Sequence, residues 1–305
     1  MAEQLLTAVH TLAPVRAETR WADYLQLTRP RLSAMALLTV AAGAILASAG
    51  APDWGTVARV MLGAALVAAG ASALNQWRER ETDARMQRTQ DRPLPAGRLQ
   101  PWEVLVFGIG SSLGGIVYLV LSVAHPLAAI VASLTALIYV CVYTPLKRLT
   151  SLNTLVGAIP GALPPVIGWT AVRGSLNAEI VALFVILFLW QVPHFLAIAW
   201  IYRADYRRAG LSMLPSVDPT GSITGRQMIG YCLALLAGSL TPLVVGGAGW
   251  VYLAGALVLG MGFLACVVGF ARRRSLAAAR TVLRASLVYL PALLTLLLLD
   301  SIRHG

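Results

Sequence analysis

Apolar runs long enough to cross about 30 Å of hydrocarbon recur near residues 32–51, 56–76, 103–123, 126–144, 153–172, 178–200, 227–248, 250–270 and 282–300. The polar stretches between them are short, except after the second and sixth runs. In lipid every backbone polar group needs an internal partner, so runs of this length predict helices. The pattern therefore reads as an all-α, polytopic membrane protein with about nine transmembrane helices. It predicts a single integral-membrane domain over 1–305, opening with a cytoplasmic or interfacial segment at 1–30. Two four-helix halves follow at about 31–150 and 151–270, with a ninth helix at about 282–302.

Composition agrees with that reading: hydrophobic residues make up 58% and charged residues 12%, and the mean hydropathy is +0.73. A soluble fold is excluded on these figures. Of the 24 basic residues, 21 lie in or beside the N-terminal segment and the loops after runs two, four, six and eight; Arg59, Arg173 and Arg303 lie elsewhere. The positive-inside rule then puts the N-terminus and the long loops in the cytoplasm and the C-terminus outside. The net charge of +11 follows from this topology and from contact with anionic lipid headgroups, so no nucleic-acid partner is expected. Cys141, Cys232 and Cys266 stand singly in apolar runs and read as small buried hydrophobes. The first 25 residues carry Glu3, Glu18 and Asp23 and lack the apolar core of a signal peptide. They also lack the acid-poor, Arg-rich and Ser-rich character of a mitochondrial transit sequence, which favours a prokaryotic plasma membrane.

Candidate chemistry concentrates at the end of the second run. Asn75, Glu79 and Asp83 are spaced by four, and Arg88 and Arg92, themselves four apart, follow five residues on. Steps of four advance about 400° around a helix, so the three oxygen-bearing side chains share one face. Two carboxylates and an amide are hard ligands suited to Mg²⁺, which takes one or two carboxylates plus substrate phosphates. The arginines add planar donor forks that match phosphate. Helical ion pairs in a charged loop are the plainer explanation. The position directly at the end of an apolar run favours ligands, because ionisable groups there are costly.

The loop after the sixth run echoes this one, with Tyr202, Arg203, Asp205, Arg207 and Arg208. Four runs separate the two loops, so both halves enter the membrane in the same direction, as in a parallel duplication. Upstream, Trp190-Gln191-Val192-Pro193-His194-Phe195 sets an amide, a proline and an imidazole in an apolar run. His194 reads equally well as functional or as a satisfied structural histidine. Tyr143-Thr144-Pro145-Leu146-Lys147-Arg148 supplies the chain's one lysine, either as a compact charge for phosphate or as an ordinary cytoplasmic helix end. The fifth run carries Gly157, Gly161, Pro164, Pro165 and Gly168, which serve close packing or the lining of a cavity.

Taken together, these motifs resemble the UbiA superfamily of intramembrane prenyltransferases, and within it the haem O synthase branch, over nearly the whole chain. The resemblance implies a helical bundle around a central cavity and Mg²⁺ as cofactor. It implies farnesyl diphosphate and haem B as substrates, the latter alkylated at a vinyl group with addition of water, and a haem A synthase as a candidate partner. It carries diphosphate binding onto Asn75, Glu79, Asp83, Arg88 and Arg92, and also onto Lys147, Arg148 and Asp205. Metal contact falls to Asn75, Glu79, Asp83 and Asp205, and Tyr143, Gln191, His194 and Tyr202 are candidates for substrate contact. The wider superfamily has aspartate where Glu79 stands and several aspartates around the position of Asp205. Three rivals remain at this point: a prenyltransferase acting on a quinone precursor, a transporter, and a haem-binding assembly factor without catalysis.

Overall fold

The computed structural model describes residues 20–304, with the side chains of 301–304 left aside. Among the described residues, nine helices are long and apolar enough to span a membrane: Pro30–Ala47, Trp54–Asp83, Pro101–Ser122, Leu127–Leu149, Asn153–Arg173, Ala178–Ile201, Ser222–Val244, Trp250–Arg273 and Leu276–Asp300. These are spans one to nine. No strand occurs among the described residues. Span two runs well past the apolar stretch that announces it, because the polar residues of its last turns find partners on other elements. Span nine begins at Leu276, earlier than its apolar run, and span seven breaks after Gly238 into a short second piece, Thr241–Val244.

Span one packs on span five, two on three, six on seven and nine, and eight on seven and nine. Lipid-like hydrocarbon supplies no net driving force between helices, so contact relies on close approach at small residues. A Cβ on Gly168 would fall 1.9 Å from the Val40 carbonyl oxygen, and one on Gly43 would fall 2.0 Å from that of Pro165. Spans one and five therefore touch backbone to backbone. Span five is itself broken at Leu163, between Asn153–Ala162 and Pro164–Arg173, where Pro164 and Pro165 withhold amide donors from the first half. The inner faces merge into one buried core that includes Val60, Trp169, Leu187, Phe263 and Tyr289. Val106, Leu121 and Val258 face outward. Cys232 is buried, but Cys141 is exposed on span four, which corrects the expectation of three buried thiols: an outward position costs a small apolar group nothing in lipid.

Residues 1–19 of the N-terminal segment lie outside the described residues. The part that is described, helix Arg20–Leu27, docks on the loop after span two. Leu27 is buried with Ala73, Leu94 and Leu99, its carbonyl accepts from Gln76 Nε2 at 2.8 Å, and Asp23 pairs with Arg98 at 2.7 Å. At the opposite end of the bundle a cavity of about 490 Å³ is lined by residues that include Ser48, Asp53, His125 and Arg173. None of the candidate functional residues reaches it.

Span seven starts on a carboxylate. Asp218 accepts from the Thr224 amide at 2.8 Å and hydroxyl at 2.9 Å, and from the Gly221 amide at 3.1 Å. Burial pushes its pKa up, but these hydrogen bonds outweigh burial and hold it below the usual carboxylate value.

Two outcomes follow. Gly168→Ala should destabilise the detergent-solubilised protein by about 1–3 kcal/mol, because backbone on both sides must move; a melting temperature equal to the parent's would show that spans one and five have room to spare. Asp218→Asn should cost about 1 kcal/mol at neutral pH. The depressed pKa means this contribution is present above the unfolded-state value and lost as pH falls through the folded-state value, so the two proteins should converge in acid. Parallel melting curves down to low pH would contradict this.

Candidate active site

The last two turns of span two carry Asn75, Glu79 and Asp83 on one buried face, as their spacing predicts. The helix stops at Asp83, and residues 84–99 form a run of turns. Arg88 and Arg92 therefore leave the helical face, and the two go to different places. Arg92 folds back so that Nη1 donates to Asp83 Oδ2 at 2.6 Å. Arg88 crosses to the loop after span six, donating from Nη2 to the Tyr206 hydroxyl at 2.9 Å, with its guanidinium 4.7 Å from the Tyr202 ring centroid. This contact reflects the π-faces of two tyrosines offered to one planar cation.

Lys147 comes from span four. Its Nζ lies 2.7 Å from Glu79 Oε1 and 4.4 Å from the centre of the Tyr143 ring. What aims it is a π-helical turn at Ile138–Tyr143, which shifts the register of the residues after it. The same turn brings Thr144 against span two, where Asn75 Nδ2 donates to Thr144 Oγ1 at 3.0 Å and that oxygen lies 2.8 Å from the Tyr139 carbonyl. A hydroxyl has one hydrogen, and only donation to the carbonyl satisfies both short contacts. Thr144 must therefore accept from the amide nitrogen, so the carbonyl oxygen of Asn75 turns the other way. Gly157 makes room for this arrangement, since a Cβ there would sit 2.5 Å from the Tyr143 ring. Gly161 does the same for Gln191, whose Nε2 donates to Leu187 O at 3.1 Å and Ala158 O at 3.3 Å.

Arg29, just before span one, is the residue that sequence reasoning missed. Its backbone is left-handed, at φ 48° and ψ 61°, which is rare for a side chain of this size and unusual before a proline. Nη1 points at the Tyr139 hydroxyl at 3.4 Å, while Nε and Nη2 are buried without partners. Burial opposes its charge, but Tyr139, Glu79 and Asp83 facing it outweigh burial and raise its pKa. Arg92 is pushed the other way, by burial and then by the facing Arg29. A positive charge immediately before an apolar run reads as topology alone, so only the backbone turn reveals it as part of the site.

Three cations, Arg29, Arg92 and Lys147, thus gather around two carboxylates, Glu79 and Asp83, leaving one positive charge in excess. Asn75 Oδ1 and Asp83 Oδ1 are buried and unpartnered. Buried polar atoms are nearly always satisfied, and these two orphaned oxygens, on one helix face with a carboxylate between them, are the donor type that a hard divalent cation takes. Asp205 does not join them. Among the described residues no three of His, Cys, Asp and Glu converge on one point, and Asp205 pairs with Arg208. The expected four-oxygen set is therefore split. Arg148 is also outside the cluster: it is exposed, and its carbonyl accepts from Ser212 Oγ at 3.4 Å. The two long loops meet in an apolar cluster of Met86, Ala199, Tyr206, Ala209, Leu211 and Met213 that closes this end of the bundle.

An all-helical membrane bundle with an excess of cations around buried carboxylates at one end is suited to holding an anionic group at the membrane. Comparison with known proteins makes this specific: the profile of the UbiA prenyltransferase family matches residues 36–290, and the chain belongs to that family. It is similar to proteins named protoheme IX farnesyltransferase from Solibacter usitatus, at 46% identity over 91% of this chain and 98% of the relative, and from Salinibacter ruber, at 45% over 91% and 98%. Among solved structures it resembles one described as digeranylgeranylglyceryl phosphate synthase in membranes, with a TM-score of 0.78 and 18% identity over 93% of this chain and 99% of the other. A UbiA homologue from Archaeoglobus fulgidus bound to DMAPP and Mg²⁺ gives a TM-score of 0.61 at 14% identity over 90% and 99%. These structural likenesses establish the shared fold.

The Glu79–Lys147 pair is largely shielded from solvent. Removing one partner of such a pair strands the other charge, at a typical cost of about 3–5 kcal/mol. Lys147→Met should therefore lower stability strongly, and Glu79→Gln combined with it should restore part of the loss. Additive losses in a double-mutant cycle would mean that the two charges do not depend on each other.

Proposed function

We propose that this enzyme carries out the reaction of the protohaem IX farnesyltransferases: it joins the farnesyl group of farnesyl diphosphate to a vinyl group of haem B, with addition of water, releasing haem O and diphosphate. The curated relatives support the choice of acceptor. The observation that carries the site assignment is the positive excess around two orphaned buried oxygens. Asn75, Glu79 and Asp83 would hold Mg²⁺, which when bound supplies positive charge to the diphosphate oxygens. Arg29, Arg92 and Lys147 stabilise the charge that collects on the leaving group as the allylic carbon–oxygen bond breaks and its electron pair passes to diphosphate. Arg88, at the joint between the two long loops, and the Asp205–Arg208 pair are further candidates for contact with the same anion.

The vinyl π-electrons form the new carbon–carbon bond to the allylic cation. The positive charge then rests beside the porphyrin ring, and water adds there with loss of a proton. The bundle brings two apolar substrates together and keeps water from the allylic cation until that bond exists. Tyr143, Gln191, His194 and Tyr202 are the candidates for contact with these substrates. The charge pattern supports a cytoplasmic N-terminus and an external C-terminus, and the composition of the N-terminal segment supports a prokaryotic plasma membrane. The repeated acid-and-arginine loop supports an origin in two four-helix halves.

Labelled farnesyl diphosphate supplied to the purified enzyme with haem B should transfer label to haem, and with a hydroxybenzoate it should not; the reverse result makes the enzyme a quinone-precursor prenyltransferase. Accumulation of substrate in sealed vesicles without release of diphosphate would make it a transporter. Asp83→Asn should lower turnover by roughly 10²–10³-fold while haem still binds.

A further inference from the structure

His194 lies within span six, and Ser286 lies opposite it on span nine, fully buried. His194 Nδ1 and Ser286 Oγ are 2.7 Å apart, and the same Oγ is 2.7 Å from the Leu283 carbonyl. A carbonyl only accepts, so the one hydroxyl hydrogen must point at Leu283; otherwise two lone pairs would face each other at that distance. Nδ1 then carries the imidazole proton and donates it to Ser286. Nε2 is left as a bare lone pair with no partner among the described residues, and it is not among the buried unsatisfied atoms. The ring is further fixed by stacking on Trp190, at 4.8 Å between centroids and 24° between planes. Trp190 in turn donates Nε1–H to the Ser286 carbonyl at 2.9 Å. A metal-binding histidine is ordinarily held this way, with its second nitrogen donating to an oxygen that fixes tautomer and orientation.

We propose that His194 Nε2 is the axial ligand of the haem iron in the acceptor substrate, and that Ser286 is the positioning residue that holds the imidazole in the required tautomer. This rests on the haem-farnesylating reading. His194 precedes the end of span six at Ile201 by seven residues, about 10 Å along the helix. Asn75 precedes the end of span two at Asp83 by eight, about 12 Å. Both residues therefore stand about three turns or fewer back from helix ends that lead into the two long loops.

The test titrates haem B and, in parallel, metal-free protoporphyrin IX into the detergent-purified full chain, following the Soret band for the first and fluorescence for the second. Ser286→Ala should weaken haem binding by roughly 10-fold or more and leave protoporphyrin affinity unchanged. His194→Ala should remove the histidine-ligated Soret position, again with protoporphyrin affinity retained. The proposal is overturned by a parental Soret band in His194→Ala, by parental haem affinity in Ser286→Ala, or by equal loss of both porphyrins, which would mark the pair as packing alone. Retained protoporphyrin binding also reports a folded variant. If haem spectra behave as expected but no farnesylated haem forms in the parent, the activity fails and the ligand assignment stands.

Discussion

Everything at the working end of this protein depends on keeping two carboxylates ionised near the floor of a membrane bundle. Glu79 and Asp83 occupy the last turns of a helix that is otherwise apolar, where an isolated charge costs several kcal/mol. The cations that make them tolerable come from three other parts of the chain: Arg29 before span one, Arg92 after span two and Lys147 at the end of span four. Meeting the carboxylates from three directions fixes how those segments sit. The close contacts of spans one and five and the π-helical turn of span four are the backbone conditions under which they can meet.

The cations outnumber the carboxylates, and that imbalance distinguishes a site from a structural ion-pair network. A network built only for stability would end neutral with its donors satisfied. Here two donors of Arg29 and two oxygens, on Asn75 and Asp83, remain without partners. The two hydroxyls, on Thr144 and Ser286, act in a related way. Each spends its single hydrogen on a carbonyl of its own helix and so becomes an obligatory acceptor, which dictates the orientation of the polar ring or amide beside it.

Much of this was legible from spacing. Apolar run length located nine spans, and the interval of four placed Asn75, Glu79 and Asp83 on one face because helical geometry extends through Asp83. The same interval failed for Arg88 and Arg92, since periodicity has no meaning once the helix ends and turns begin. Arg29 was hidden because its inward direction comes from a left-handed backbone that no residue type announces. The resemblance put Asp205 among the metal ligands; in the fold it pairs with Arg208, three residues away, apart from Glu79 and Asp83. The roles of Thr144 and Ser286 depend on who else their oxygen touches, which is a property of packing between spans far apart in the chain.

The apolar seam joining the two long loops bears on how this end of the bundle can open. Met86 of one loop and Tyr206, Leu211 and Met213 of the other share a single buried cluster, pinned further by the reach of Arg88 across to Tyr206. Separating the loops would wet both sides of that seam at once, so neither can swing away cheaply alone. Any parting of the two loops is then a concerted motion, and Arg88, which bridges them, leaves its aromatic cradle when they separate.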